Sequence, residues 1–208
     1  MKSLSELGIE YYLAQASSDE PTIEPIATSD VEAHTYASSD DLTLIGSYIK
    51  AARKYVEGAI PGGRALVQQT FTAYLSRFPL GAEALLLPRP PLLAITSIGY
   101  HDGNNSTQTM ASSDYVVIAP TKAQARVIPQ IDTNWPATKE RPDSVKIVYT
   151  AGYGTTGEHV PETLRLATKM LAAHWYANRE AVIVGKPSKP IELGIKSLLA
   201  TEGWGFYG

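Results

Sequence analysis

The sequence predicts an α+β protein: an α-helical bundle carrying an inserted small antiparallel β-sheet, with an extended N-terminal arm and a C-terminal tail. Three observations predict it. Apolar residues recur at helical spacing in two separate stretches, about 29–59 and about 161–200. Between them, residues 67–150 change to short runs rich in β-branched and aromatic side chains, divided by turn material. The two ends carry neither period. With 208 residues and 44% apolar content, the chain can bury a substantial core.

The arm comes first, over residues 1–28. Its stretch AQASSDEPTIEPIATS, residues 14–29, is rich in Ser, Thr, Pro and acidic groups and offers few large side chains to a core. Such a segment is expected to order only against a partner. The folded domain follows over residues 29–200. VEAHTYA, after Ser29 or Asp30, predicts a short first helix. Ser39, Asp40 and Asp41 then suit an N-cap and first turn, where short polar side chains accept from unpaired amides and acidic ones favour the positive end of the helix dipole. Behind them Leu42, Ile45, Ile49, Ala52, Val56 and Ala59 share one stripe, so an amphipathic helix ends near Gly58, before IPGG.

In the central region, VQQTFTAYLSRF, ALLLPRP, LAITSIGYH, DYVVIAP, ARVIPQ and SVKIVYTA predict strands, joined as hairpins through DGNN and PTKAQ. Pro88, Pro90 and Pro91 have no N–H to give a ladder, so LPRPPL reads as an edge or a kinked crossover. Helical spacing then returns. Pro161 suits a first helical position, and Leu164, Ala167, Leu171, His174 and Trp175 follow on one stripe. Ile191, Ile195, Leu198 and Leu199 predict a last short helix from Pro190 to about Ala200. In the tail, residues 201–208, Gly203, Gly205 and Gly208 break any helix, while Trp204, Phe206 and Tyr207 put three rings on a glycine-rich end.

Charge and composition narrow the function classes. A formal net charge of -3 is unsuited to a protein whose main work is gripping phosphate backbones. The absence of cysteine excludes disulfides, thiolate metal sites and a cysteine nucleophile. The N-terminus MKSLSELGIEYYL lacks a basic start followed by a continuous apolar stretch, and no later window has the length of a membrane span. The expectation is an intracellular, non-secreted chain with no membrane contact.

One stretch looks like chemistry. Gly152, Gly154 and Gly157 have the spacing G-x-G-x-x-G between an expected strand and an expected helix, and such glycines let a backbone approach a pyrophosphate at a helix N-terminus. In a dinucleotide fold, however, the last glycine lies within the helix start of a βαβ unit. Here the helix is expected at Pro161, beyond all three, after hairpins rather than crossovers. Glu180 stands at a suggestive distance but precedes the apolar AVIVG instead of ending a second strand. A glycine-rich strand-to-helix turn is therefore the expected reading. His101 and Asp102 sit beside Gly103 and Asn104, where a turn explains both. His34, His159 and His174 lack the H-E-x-x-H pairing of a metal site, and His174 lies beside Trp175 on the apolar stripe. Arg179 and Glu180 suit capping or pairing. With no G-x-S-x-G elbow and no Walker A loop, the expectation is no enzyme, no cofactor and no metal.

Five segments in order carry a resemblance: IKAARKYVEGAIPGGRALVQQTF, LPRPPLLAITSIGYHDG, WPATKERPDSVKIVYTAGYG, VPETLRLATKMLAAHWYANREAV and GIKSLLA. Together, over about residues 30–200, they closely resemble the head-tail connector proteins of tailed bacteriophages, also called head-completion or adaptor proteins and found in prophages and gene transfer agents. LPRPPL, the AGYG turn and the AHWYANRE helix are the most specific pieces. The sequence departs from that pattern in its long arm, in IPGGRAL and in the aromatic ending EGWGFYG. The resemblance implies a structural virion protein at the head-tail interface, present in the host cytoplasm during assembly. It implies a ring of twelve copies beneath the portal, contacts to the portal and to a tail or stopper protein, and genomic DNA passing through without sequence-specific binding. It also implies a C-terminal portal contact, for which the candidate residues are Leu198, Leu199, Trp204, Phe206 and Tyr207. The rival classes are a generic β-rich binding module and a nucleotide-binding enzyme using the GYGTTG turn.

Overall fold

The computed structural model describes residues 9–14, 20–60, 62–121, 123–178 and 189–202. The chain divides into two compact units, one from residues 1–20 and 68–152, the other from residues 21–67 and 153–208. All described strands lie in the first and all described α-helices in the second, so the fold is mixed α+β, as the change of period predicts.

In the strand unit, β1 (Tyr11–Ala14), β2 (Gln69–Leu75), β4 (Leu92–His101), β5 (Thr107–Thr109) and β8 (Val145–Ala151) form one antiparallel sheet in the order β1-β2-β8-β4-β5. A second sheet has the order β3-β7-β6, from β3 (Leu85–Leu87), β6 (Tyr115–Ile118) and β7 (Ala125–Pro129). Alternation decides the register. Phe71, Ala73 and Leu75 of β2 pair with Tyr149, Ile147 and Val145 of β8, which puts six buried side chains on one face. The Tyr149 hydroxyl donates to the Pro88 carbonyl at 3.1 Å, and burial pushes its pKa well above the ordinary tyrosine value. Beyond the sheets, Phe78 stacks on Trp135 with ring centroids 4.8 Å apart, and the Trp135 indole donates to the Glu83 carbonyl at 2.8 Å.

LPRPPL is the crossover that its prolines predict. β3 is an edge of the three-stranded sheet, Arg89 has φ +59°, and β4 begins in the other sheet after a cis Pro90–Pro91 bond. The stretch expected as an arm differs from expectation. Tyr11–Ala14 pair antiparallel with β2, Tyr12 stacks on Tyr74, and Ile9 is buried. This apolar run, just ahead of the polar residues 14–29, is too short to display a strand period of its own.

In the helical unit, α1 (Thr28–Thr35), α2 (Leu42–Ala59), α3 (Glu162–Ala177) and α4 (Lys189–Glu202) share one aliphatic core. Its members are the predicted stripes: Ile45, Ile49, Ala52 and Val56 on α2, Leu164, Ala167 and Leu171 on α3, and Ile195 and Leu199 on α4. α2 starts later than expected, at Leu42 behind Asp41 as its N-cap. Ser38, rather than Ser39, caps a short 3-10 turn over 39–41, its Oγ accepting from the Asp40 N–H at 3.3 Å. Asp41 instead accepts the Tyr176 hydroxyl at 2.6 Å, tying the head of α2 to the end of α3. Pro161 stands at the cap of α3, its carbonyl accepting from the Leu164 and Arg165 N–H groups at 3.0 Å each. α1 ends on Tyr36 at φ +54°, whose N–H returns to the Glu32 carbonyl and which turns Ala37 onto the core. A residue bearing a Cβ adopts that left-handed conformation at a cost of roughly 1–2 kcal/mol.

Residues 20–29, the described remainder of the expected arm, are also packed. Ile26 joins the core, and the Arg165 Nε donates to the Pro25 carbonyl at 3.3 Å.

Candidate functional site

The glycine turn is built by close approach. Gly152 has φ +133°, a backbone that disfavours side chains, and its N–H donates to the Pro91 carbonyl at 2.8 Å. A Cβ on Gly154 would strike the His159 ring, and one on Gly157 would lie 2.6 Å from the Pro25 carbonyl oxygen and 2.9 Å from that of Glu24. Amides at the two ends of the turn are spent inside the protein: Tyr153 donates to Leu66 at 3.2 Å, His159 to Thr156 at 3.3 Å and Val160 to Gly157 at 3.1 Å. Pro161, at the helix entrance, has no N–H to offer. A pyrophosphate cradle needs those donors pointed outward. The spacing thus serves backbone packing.

A buried charged network holds the ground beside this turn. Arg53, on the core side of α2, donates from Nε to Glu24 at 2.7 Å and from Nη1 to Glu57 at 3.1 Å, and the other Glu57 oxygen accepts the Leu66 N–H at 3.0 Å. Burial works against the Arg53 charge, but the hydrogen bonds and charges of Glu24 and Glu57 outweigh it and raise its pKa. Fully buried Arg64 donates to the Tyr153 hydroxyl. These residues anchor the 20–27 stretch and the turn; their carboxylates are committed to structure.

His101 and Asp102 are separated in role. His101 closes β4, its N–H donating to the Ser144 carbonyl at 2.8 Å and its carbonyl accepting from Lys139 at 2.9 Å. Asp102 organises the hairpin: Oδ1 accepts from the Asn104 and Ser106 amides and Oδ2 from the Gln108 side chain, each at 2.9 Å. The Gln108 bond, then that of Ser106, hold its carboxyl below the usual range. The turn accounts for Asp102, whereas His101 is a strand residue paired with Thr107, its Nδ1 buried with no hydrogen-bond partner among the described residues. His174 is half-buried at the end of α3, its Nδ1 3.1 Å from the Asn178 amide, and His159 lies 3.1 Å from the Thr156 hydroxyl. Among the described residues no group of three His, Cys, Asp or Glu could hold a metal, and no helix is long and apolar enough to cross a membrane.

Of the predicted partner-binding residues, Leu199 is 4% exposed in the helical core and Leu198 packs half-buried against it. Trp204, Phe206 and Tyr207 lie outside the described residues, as do Arg179 and Glu180. Sequence reading missed the buried Arg53–Glu57 pair; the signal was their position, each one residue after a stripe member, four apart. It also passed over two aromatic groups on the surface of the helical unit, Tyr36 and Tyr55.

No family model matches the chain, and no curated protein matches it. Solved structures do. A chain from the neck of an empty gene transfer agent particle, computed with C6 symmetry, is 19% identical with a TM-score of 0.72, the match covering 92% of this chain and 95% of that one. A chain of the native gene transfer agent virion is 22% identical with a TM-score of 0.71, covering 92% and 94%. A third, from the native neck computed with C12 symmetry, is 21% identical with a TM-score of 0.69, again covering 92% and 94%. At these identities the likeness is one of fold, and it extends over nearly all of both chains.

Proposed function

We propose that this chain is a head-tail adaptor: a structural virion protein that assembles as a ring of twelve beneath the portal and joins the DNA-filled capsid to the tail. The observation that carries this reading is the fold shared over 92% of the chain with chains of gene transfer agent necks. The ordered segments from IKAARKYVEG to GIKSLLA point to the same connector family. The chemistry agrees. The glycine turn spends the amides at its two ends internally, Asp102 is engaged by its own hairpin, and the Glu24 and Glu57 carboxylates are tied to Arg53 and to backbone. The adaptor performs no reaction; it takes its place by contacts to the portal, to its own copies and to a tail or stopper protein, while DNA passes without sequence-specific binding. Electron microscopy of the chain mixed with its cognate portal tests this directly. A twelvefold layer on the portal is expected, and a chain that stays unbound overturns the reading.

Within this proposal the C-terminal end is the portal anchor. Buried Leu199 fixes α4 in the helical core, with Leu198 beside it, so the stretch from Gly203 onward leaves from a fixed point. Trp204, Phe206 and Tyr207 then supply rings of the kind that dominate interface energies, typically about 2 kcal/mol or more for a good anchor. A chain truncated after Glu202 is expected to melt at nearly the same temperature while losing attachment to portal-bearing heads. A large drop in melting temperature with attachment intact would assign the rings to the chain's own core.

A further inference from the structure

A sheet edge specifies the chemistry of its own partner, because a row of unpaired N–H and C=O groups is satisfied in full by another strand. The strand unit has four edges, β1 and β5 on one sheet and β3 and β6 on the other. Two are protected. β5 is Thr-Gln-Thr, three exposed polar residues, and β3 is three residues long, buries Leu85 and Leu87 and stops at Pro88, which has no N–H. The other two are not. β1, Tyr-Tyr-Leu-Ala, and β6, Tyr-Val-Val-Ile, are each four residues long and hold no charge, proline or bulge, the devices that usually guard an edge.

The existing ladders fix which groups are left over. Beside β6 the Gln130 N–H donates to the Asp114 carbonyl at 3.0 Å, and Pro129, opposite Tyr115, has no N–H to give. Bonded pairs alternate with unbonded ones, so Val116 and Ile118 bond to Ile128 and Arg126, while the N–H and C=O of Tyr115 and Val117 point away from β7. Beside β1 the Ser76 N–H donates to the Glu10 carbonyl at 3.0 Å, so Tyr12 and Ala14 bond to Tyr74 and Thr72, and Tyr11 and Leu13 turn their N–H and C=O outward. These outward backbone groups bond to no described residue. Apolar exposure falls on the same two strands: Tyr12 is 66% exposed, Ile118 49% and Val117 38%. Val117 and Ile118 point to opposite faces, so β6 is bare on both sides as well as along its edge. An edge that pairs with its own kind makes two-fold pairs, whereas a closed ring joins each copy to the next through unlike patches, here the edges of β1 and β6.

We infer that β6 of one copy adds to β1 of the next as an antiparallel strand, Val117 opposite Tyr11 and Tyr115 opposite Leu13. In that register each pair exchanges both of its hydrogen bonds, and every outward N–H and C=O of the two edges is satisfied. It also sets Ile118 opposite Glu10. This rests on the ring reading above.

Proline substitution tests the edge itself. Val117→Pro removes an N–H that β6 does not use within the chain, whereas Val116→Pro removes one that bonds to Ile128. The free Val117→Pro chain is expected to melt within a few degrees of wild type, and Val116→Pro well below it. In particles, Val117→Pro is expected to lower the copy number of the chain at least several-fold, while Val117→Thr, which keeps the N–H, is incorporated normally. Normal incorporation of Val117→Pro overturns the inference, and so does a melting temperature as low as that of Val116→Pro. Cross-linking then identifies the occupant, using the chain's lack of cysteine. Particles are produced with Glu10→Cys and Ile118→Cys in one chain, and with each change alone, then treated with a short bismaleimide and run on denaturing gels. The double variant is expected to give a ladder extending past the dimer, and each single variant to stay monomeric. Particles that contain the chain but give no ladder overturn this contact while leaving the ring in place. Dimers from Ile118→Cys alone, or a conjugate to a different virion protein, overturn it as well by naming another occupant. Wild-type particles that lack the chain altogether overturn both readings.

Discussion

The turn at residues 152–157 and the hairpin turn at 102–105 are both short, both rich in glycine or asparagine, and both carry residues that look catalytic, but they are held by opposite means. The first is shaped by what is missing. Gly154 and Gly157 stand where a Cβ would meet the His159 ring or the backbone of Glu24 and Pro25, and Gly152 occupies φ +133°. The second is shaped by what is present, an Asp102 carboxylate accepting three hydrogen bonds, with the Arg141–Asp143 pair reaching across to Asn105 at 3.2 Å. Its glycine is incidental: a Cβ on Gly103 meets nothing within 4 Å. One turn is therefore specified by close packing, which tolerates no added atom, and the other by solvent-exposed polar bonds, which tolerate most.

That contrast can be broken by substitution. The largest effect is expected for Gly157→Ala, which places a methyl group 2.6 Å from a backbone oxygen that cannot swing aside. A cost of about 1–3 kcal/mol, seen as a fall of several degrees in thermal unfolding, is the expected outcome. An unchanged melting temperature would mean that the turn yields easily and that the contrast is false. Gly152→Ala comes next, at about 1 kcal/mol or more for forcing a side chain to positive φ. Asp102→Asn should do less and show it differently. Because the Gln108 and Ser106 bonds hold the Asp102 carboxyl below its ordinary value, its contribution is present above the unfolded pKa of about 3.9 and is lost as pH falls through the folded value. Denaturant melts of wild type and variant should differ by a constant amount at neutral pH and converge in acid; a gap that widens in acid would contradict the assignment. Smallest of all, Gly103→Ala should leave stability within about 0.5 kcal/mol. Neither turn is expected to bind a cofactor, so calorimetric titration with NAD, NADP and FAD should give heats of dilution alone, and saturable micromolar binding would sharpen the glycine turn back into a site.

Much of the fold was legible because it rests on periodicity. The stripes of α2 and α3, the alternation of β2 and β8, and the proline crossover into β4 each follow from spacing or from a missing N–H, properties that a single sequence displays. What escaped depends on partners distant in sequence. Tyr11–Ala14 is too short to announce a strand, and becomes one by pairing with Thr72–Leu75 across about sixty residues. Glu24 and Arg53 read separately as an acidic linker residue and a solvated helix charge, although their ion pair buries the arginine almost completely. The exposure of Tyr36 follows from a backbone reversal at φ +54° that no spacing displays.

The route of the chain has a consequence for its synthesis. Every described strand lies at 11–14 or 69–151, and every described α-helix at 28–59 or 162–202. A polypeptide emerging from the ribosome therefore displays the first half of a helical core about a hundred residues before the second half exists. During that interval the strand unit acquires its last partner, β8, and can close while the stripe of α2 still waits for α3 and α4. The exposed stripe is the vulnerable species in this sequence of events, since unsatisfied apolar surface on a nascent chain is what chaperones and aggregation compete for. Slowing translation just after residue 151 would prolong that interval, and the yield of soluble chain would fall before any change in the finished protein's stability could be measured.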